Sequence, residues 1–279
     1  MQEELNEFIE RALHEDVRDG DHTSLACIPA DAMGKAHLLV KENGILAGMI
    51  LAQLIFHKVD ARIVMKSLLK DGDAIDIGDI AFIVEGPSSS LLTAERLVLN
   101  CMQRMSGIAT KTHEINKLIE GTEAQVLDTR KTTPGIRLLE KWAVTIGGGT
   151  NHRFGLYDMM MIKDNHIDFA GGIKQAIEKA VSYQESKGLS LKIEVEARNL
   201  KEVEEILAVG HIHRIMLDNF SYEDTRTAVN LINSKYEIEA SGGITKKTIR
   251  AYAECGVDFI SVGALTHSAS SLDLSLKAI

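Results

Sequence analysis

Apolar positions recur at two different periods along this chain, and the change of period divides it. Leu5, Phe8, Ile9, Leu13 and Val17 lie near helical spacing, so Glu3 to Arg18 predicts an amphipathic helix. Gly20-Asp21-His22-Thr23 ends it in turn chemistry. Ala36 to Val40 reads as a strand, Asn43-Gly44 as a turn and Ala47 to His57 as a helix. Between Ile63 and Glu85, short apolar runs split by Asp71-Gly72-Asp73 and Gly78-Asp79 predict a small, mainly antiparallel sheet. Leu91 to Glu120 predicts a long helix with a weak point at Ser106-Gly107.

From Gln125 the rhythm is regular. Strand-like runs at 125–129, 159–163, 191–196, 214–218, 237–240 and 258–262 alternate with helical patterns at 136–144, 173–185, 200–209, 222–232 and 246–255. Strand alternating with helix means parallel strands joined by right-handed crossovers, in a barrel or an open doubly wound sheet. Nearly every strand ends on polar groups: Asp128 to Lys131, Lys163 to Asn165, Glu194 with Glu196, Asp218-Asn219, Glu239 with Ser241 to Gly243, and Gly263. A barrel gathers all such ends onto one face, whereas an open sheet concentrates them at one crevice. So many contributing strands favour the barrel.

Composition narrows the function. A net charge of −9 over 279 residues argues against a general polyanion binder, so no nucleic-acid partner is expected. The N-terminus lacks the basic-then-apolar order of a signal peptide, and the most apolar run, Ile45 to Phe56, falls short of the ~20 residues that span a bilayer. Three cysteines without CxxC spacing indicate neither a disulfide framework nor a zinc site, and a cytoplasmic, reduced protein is expected. Against this acidic background, residues 128–166 hold six Lys or Arg and two His against four acids. Such a local cationic concentration suggests a site for a small anion.

The site chemistry divides by residue type. Arg130, Lys131, Arg153 and Lys163 offer guanidinium forks and ammonium charges suited to carboxylate or phosphate. Lys163 follows the apolar Met159-Met160-Met161-Ile162, so its charge calls for an anionic partner. His152 follows Gly147-Gly148-Gly149, where backbone could approach a ligand closely. Glu194 and Glu196 share one face of their strand and, with Asp218, could hold Mg²⁺ or sugar hydroxyls. Ser241-Gly242-Gly243 follows a strand and opens the helix expected over 246–255, as a phosphate-binding turn does, and Val262-Gly263-Ala264 could be its companion. Neither a Walker lysine nor GxGxxG occurs, so ATP hydrolysis and nicotinamide hydride transfer are not indicated. On pattern alone Arg104 is an exposed helix charge.

Several motifs together resemble the quinolinate phosphoribosyltransferase family. They are Asp-Thr-Arg-Lys-Thr-Thr-Pro-Gly at 128–135, Gly-Gly-Gly-Thr-Asn-His-Arg-Phe-Gly-Leu at 147–156 and Ile-Lys-Asp-Asn-His at 162–166. Leu-Asp-Asn-Phe at 217–220, Glu-Ala-Ser-Gly-Gly-Ile at 239–244 and Val-Gly-Ala-Leu-Thr-His-Ser at 262–268 extend the match nearly end to end. The resemblance implies an α/β protein with an N-terminal α/β sandwich, residues 1–106, joined by the C-terminal tail 268–279. An incomplete, seven-stranded α/β barrel would follow over 107–267. It also implies a homodimer in which Arg104 reaches the neighbour's site.

By the same resemblance the reaction joins quinolinate to phosphoribosyl pyrophosphate, giving nicotinate mononucleotide, pyrophosphate and CO₂ in NAD biosynthesis. Arg104, Thr129, Arg130, His152, Arg153 and Lys163 would bind quinolinate. Ser241, Gly242, Gly243, Val262, Gly263, Ala264 and His267 would bind the phosphoribosyl group. Lys131, Glu196 and Asp218 would be catalytic, with Glu196 and Asp218 also meeting Mg²⁺. The alternatives are a pyrophosphorylase-like paralogue of molybdate transport operons with another acceptor, a Schiff-base aldolase using Lys163, and a non-catalytic binding subunit.

Overall fold

The computed structural model describes residues 2–279, which form two compact units. One comprises the chain up to His113 with Thr132–Gly148 and Leu265–Ile279; the other comprises Glu114–Lys131 and Gly149–Ala264. In chain order, α1 (Gln2–Val17), α2 (His22–Cys27), β1 (Met33–Val40), β2 (Gly44–Ile45) and α3 (Met49–Val59) come first. Next are β3 (Val64–Ser67), β4 (Ala74–Ile75), β5 (Ile80–Pro87) and the long α4 (Ser88–Leu118). The alternating part holds β6 (Gln125–Leu127), α5 (Arg137–Ile146), β7 (Met159–Ile162), α6 (Asp164–Ala170), α7 (Ile173–Lys187), β8 (Lys192–Ala197) and α8 (Leu200–Val209). It continues through β9 (Arg214–Asp218), α9 (Tyr222–Ile232), β10 (Glu237–Ser241), α10 (Ile249–Ala253), β11 (Phe259–Ser261) and α11 (Ala264–His267) to β12 (Leu274–Ala278).

In the first unit the sheet order is β12-β1-β5-β3, with antiparallel pairing throughout. The tail strand β12 pairs with β1 from Ala36↔Ala278 to Val40↔Leu274. The apolar face of α3 buries Leu51, Ile55 and Phe56, and the Phe56 ring meets Phe82 of β5 edge-on at 5.9 Å. Burying each such side chain contributes about 1.5–3 kcal/mol.

The long helix expected over 91–120 is α4, and the weak point at Ser106-Gly107 does not interrupt it. The small residues serve close packing instead. Ser106 Oγ accepts from the Ala47 backbone N–H at 2.9 Å and donates to the Ala47 carbonyl at 3.2 Å. A Cβ on Gly107 would lie 1.8 Å from the Ser270 carbonyl oxygen, so the C-terminal tail needs a glycine there. Gly107→Ala is therefore expected to cost about 1–3 kcal/mol of stability, read as a lower urea midpoint.

In the second unit the sheet is parallel, with order β6-β11-β10-β9-β8-β7. Its strands are near-continuous apolar runs, such as Ile215-Met216-Leu217, as expected when helices cover a parallel sheet. The seventh barrel strand is reduced to one parallel bridge, Leu127↔Thr150. The ladder stops because the next free donor, His152 N–H, turns to the Asp128 side chain at 2.8 Å. Asn199 and Ser221 cap α8 and α9 by accepting from Glu202 and Asp224 N–H groups, so both helices start where the pattern places them.

The helix expected at 246–255 is shorter, Ile249–Ala253. Thr248 Oγ1 takes the Thr245 N–H at 2.9 Å, a side-chain turn that delays the helix. Among the described residues, no helix is long and apolar enough to cross a membrane.

Candidate active site

The C-terminal ends of the parallel strands collect the second unit's polar residues in two tiers. The lower tier is fully enclosed. Alternation along β8 turns Glu194 and Glu196 to one face, and Glu194 is the deeper, with none of its surface exposed. Glu239 of β10 is equally buried. His152 Nε2 lies 3.1 Å from Glu194 Oε2 and 3.1 Å from Glu239 Oε2. Arg214, at the start of β9, brings Nη1 to 3.1 Å from Glu239 and 3.9 Å from Glu194, and its Nη2 reaches Glu237 at 3.0 Å. Its guanidinium also stacks over Phe259, 4.0 Å from the ring centre.

The two carboxylates are inequivalent. Burial and the neighbouring Glu239 charge lift the Glu194 pKa to about 7. Burial also acts upward on Glu239, but His152, Ser261 and Arg214 outweigh it and hold its pKa below the ordinary value. Burial disfavours the His152 imidazolium, yet the carboxylates overcome this and raise its pKa to about 9. On the other ring nitrogen, Nδ1 accepts the Arg153 backbone N–H at 2.6 Å, a contact that the neutral ring protonated at Nε2 allows and the imidazolium does not. In either protonation state Nε2 carries a proton toward Glu194 and Glu239. His152 thus fixes the backbone at Arg153, with both ring nitrogens turned to protein partners.

Among the described residues, His152, Glu194 and Glu239 also form one group whose ligand-type atoms lie within 4.8 Å of one another. Arg214 and, when protonated, the His152 ring offset its charge, so the group is an ion-pair network.

The upper tier is open. Arg130 and Arg153 lie close enough for each charge to act on the other, and burial together with Arg130 lowers the Arg153 pKa. Arg153 Nη1 donates to the Met159 carbonyl at 3.2 Å. Arg130 Nε is buried without a hydrogen-bond partner. Two guanidiniums brought together, one with an unused buried donor, fit an anion that bridges them. Thr129 Oγ1 accepts from the Lys131 N–H at 3.0 Å, and the Lys131 residue is exposed.

Lys163, at the end of β7, lies 3.5 Å from Glu196 Oε2 with 47% of its side chain exposed. This is an ion-pair setting rather than the apolar pocket that activates an amine for Schiff-base chemistry. Burial raises the Glu196 pKa, Lys163 pulls it down, and Asp218 and Asp164 push it up again. Crowded carboxylate oxygens of this kind suit a hard divalent cation held through one or two carboxylates.

Asp218 and Ser241 are paired at the adjacent ends of β9 and β10. Asn219 Nδ2 donates to Asp218 Oδ2 at 2.7 Å. Gly242 takes φ +93°, and a Cβ there would meet Asn219 Oδ1 at 2.3 Å. Gly243 follows at φ +58° with no atom within 4 Å of its Cβ position, so a ligand can approach its backbone. Because α10 starts later than the pattern suggests, this turn has no helix N-terminus directly behind it. The polar contribution here comes from loop N–H groups alone. Val262 is buried and Gly263 and Ala264 are partly exposed at the end of β11.

Two predicted site residues belong to the first unit. His267 is exposed, with Nδ1 2.6 Å from Ser268 Oγ. Arg104 is not the exposed helix charge its pattern suggests. It donates to buried Glu140 and to the carbonyls of Thr266 and Ala269. Sequence reasoning placed Glu239 only among the polar strand-end groups and assigned no role to Arg214 or Glu140. Alternation could have flagged Glu239 beside Glu194 as two inward acids that need a cation.

Comparison with known proteins follows the same outline. Residues 21–106 match the family described as quinolinate phosphoribosyl transferase, N-terminal domain, and residues 108–277 match its C-terminal domain. The chain is 47% identical over 289 residues to "Quinolinate phosphoribosyltransferase [decarboxylating] 1b" of Nicotiana tabacum, covering 98% of this chain and 82% of that protein. It is 41% identical to "Probable nicotinate-nucleotide pyrophosphorylase [carboxylating]" of Bacillus subtilis (strain 168), covering 98% and 93%. Its structure superposes on NadC from Streptococcus pyogenes with a TM-score of 0.94 at 39% identity, covering 100% of this chain and 98% of the other. Both domains, nearly the whole length and the strand-end motifs agree, and the chain belongs to the quinolinate phosphoribosyltransferase family.

Proposed function

We propose that the protein transfers a phosphoribosyl group from phosphoribosyl pyrophosphate to the ring nitrogen of quinolinate, with loss of the C2 carboxylate. The observation that carries this reading is the buried, unused Arg130 Nε, with a second guanidinium, Arg153, near enough for the Arg130 charge to lower its pKa. A pyridine dicarboxylate supplies two anionic groups to such a site, and a monocarboxylate supplies one. Lys163 extends the cationic wall. Thr129 lines the same loop, and His152 acts by holding the Arg153 backbone from behind. By family resemblance Arg104 comes from a second copy in a homodimer.

The phosphoribosyl group fits the remaining strand ends. Ser241, Gly242, Gly243, Gly263 and Ala264, beside Val262, offer backbone N–H groups to the 5′-phosphate, with His267 as a further donor. Lys131 is suited to the pyrophosphate leaving group. Glu196 and Asp218 meet the ribose hydroxyls, and they would hold Mg²⁺, which neutralises pyrophosphate charge when bound.

The mechanism needs little proton transfer from protein. As pyrophosphate leaves C1 of the ribose, positive charge builds there and the carboxylates of Glu196 and Asp218 stabilise it. The pyridine nitrogen then donates its pair to C1. The resulting pyridinium accepts the electron pair of the breaking C2–carboxylate bond, CO₂ departs, and C2 takes a proton from water. The chain's contribution is positioning and electrostatics.

Nicotinate in place of quinolinate should lose at least about 100-fold in kcat/KM, since one charged contact pair goes unmade. Equal use of the two acids in a steady-state assay would refute the reading.

A further inference from the structure

We infer that Glu140 is the positioning residue for Arg104, an inference that rests on the phosphoribosyl-transfer reading and on Arg104 as a quinolinate ligand. Glu140 sits on α5 with no exposed surface, and a buried carboxylate requires partners that offset its desolvation. Its partners all serve one arrangement. Oε1 accepts from Arg104 Nε at 3.0 Å and Nη2 at 2.7 Å. The same oxygen accepts from Thr133 Oγ1 at 2.9 Å, and Oε2 accepts the Thr133 backbone N–H at 3.0 Å. Thr133 thus orients the carboxylate, and the carboxylate orients the guanidinium.

Two main-chain carbonyls complete the clamp. Thr266 takes Arg104 Nη2 at 2.5 Å and Ala269 takes Nη1 at 2.6 Å. Four of the five N–H bonds of the guanidinium are then directed at protein acceptors, leaving one on Nη1. An arginine on an exposed helix face would sample many rotamers. This one has a single direction left in which to donate, which is what a ligand-binding arginine gains from preorganisation. Glu140 needs no contact with substrate to matter, because it acts through Arg104.

The test is steady-state kinetics on the full-length enzyme with quinolinate and phosphoribosyl pyrophosphate varied separately. Glu140→Gln loses one charge-assisted pair and should raise the quinolinate KM about 10-fold, with the phosphoribosyl pyrophosphate KM changed by less than about two-fold. Arg104→Met should raise the quinolinate KM at least as much. The double variant Arg104→Met/Glu140→Gln should match Arg104→Met within about two-fold, since Glu140 then has no guanidinium to orient. The double variant buries no unpaired charge, whereas Arg104→Met leaves the Glu140 carboxylate buried alone. All variants are therefore first checked for native circular dichroism, and the Glu140→Gln quinolinate KM carries the test by itself if Arg104→Met fails to fold.

A folded Glu140→Gln enzyme with the wild-type quinolinate KM would overturn the inference. So would a further 10-fold loss in the double variant. If the wild-type enzyme makes no nicotinate mononucleotide, both the inference and its parent reading fall. Failure of the variants beside an active wild type sinks the inference alone.

Discussion

Glu196→Ala should lower kcat by about 10²–10³ while leaving the quinolinate KM within about three-fold. The asymmetry follows from when the charge is needed. Quinolinate is an anion in the ground state and, in the proposed site, would be gripped by Arg130, Arg153 and Lys163. The ribose C1 becomes cationic only as pyrophosphate leaves. A carboxylate aimed at that centre is therefore stronger in the transition state than in the ground state, and its removal appears in kcat. Glu196 is held for the task, 7% exposed, with Lys163 at 3.5 Å and the Asp218 charge nearby. Removing it also frees Lys163 from its ion pair, so quinolinate binding does not weaken in parallel. A variant with normal kcat and a strongly raised quinolinate KM would reverse the roles proposed for the cations and for Glu196.

Glu239→Ala should destabilise the fold by about 3–5 kcal/mol, the cost of leaving buried charge uncompensated. Glu239 is wholly buried and meets both His152 Nε2 and Arg214 Nη1 at 3.1 Å. Without it, Arg214 keeps Glu237 at 3.0 Å but loses its fully buried partner, and only Glu194 remains beside the imidazole. Urea unfolding monitored by circular dichroism gives the number directly. A loss below about 1 kcal/mol would mean that the network contributes no more than a surface pair.

The parallel-sheet unit was legible because its strands are short runs rich in apolar residues and two of its helices start at good caps. Asn199 and Ser221 mark α8 and α9 in the sequence as plainly as in the structure. The seventh barrel strand was not legible, since one side-chain bond from Asp128 to the His152 backbone ends it. The helix after Gly243 was overestimated for a similar reason, a Thr248 hydroxyl that competes with helical hydrogen bonding. Ser106-Gly107 looked like a weak point in the helix because local propensity carries no record of the Ser270 carbonyl against which the glycine packs.

In the site, the cations near the family motifs could be read from type and position. The partners of Arg104 could not. Glu140 lies 36 residues further along and Thr266 lies 162 residues further. No periodicity links such distant positions, and only the folded chain brings them together.

The central claim is that transfer and decarboxylation happen on the same substrate molecule. It is tested most directly with quinolinate labelled in the C2 carboxylate, incubated with the purified enzyme, phosphoribosyl pyrophosphate and Mg²⁺. One labelled CO₂ should be released for each nicotinate mononucleotide formed, and none when phosphoribosyl pyrophosphate is omitted. Product that retains the label, or label released without phosphoribosyl pyrophosphate, would contradict it.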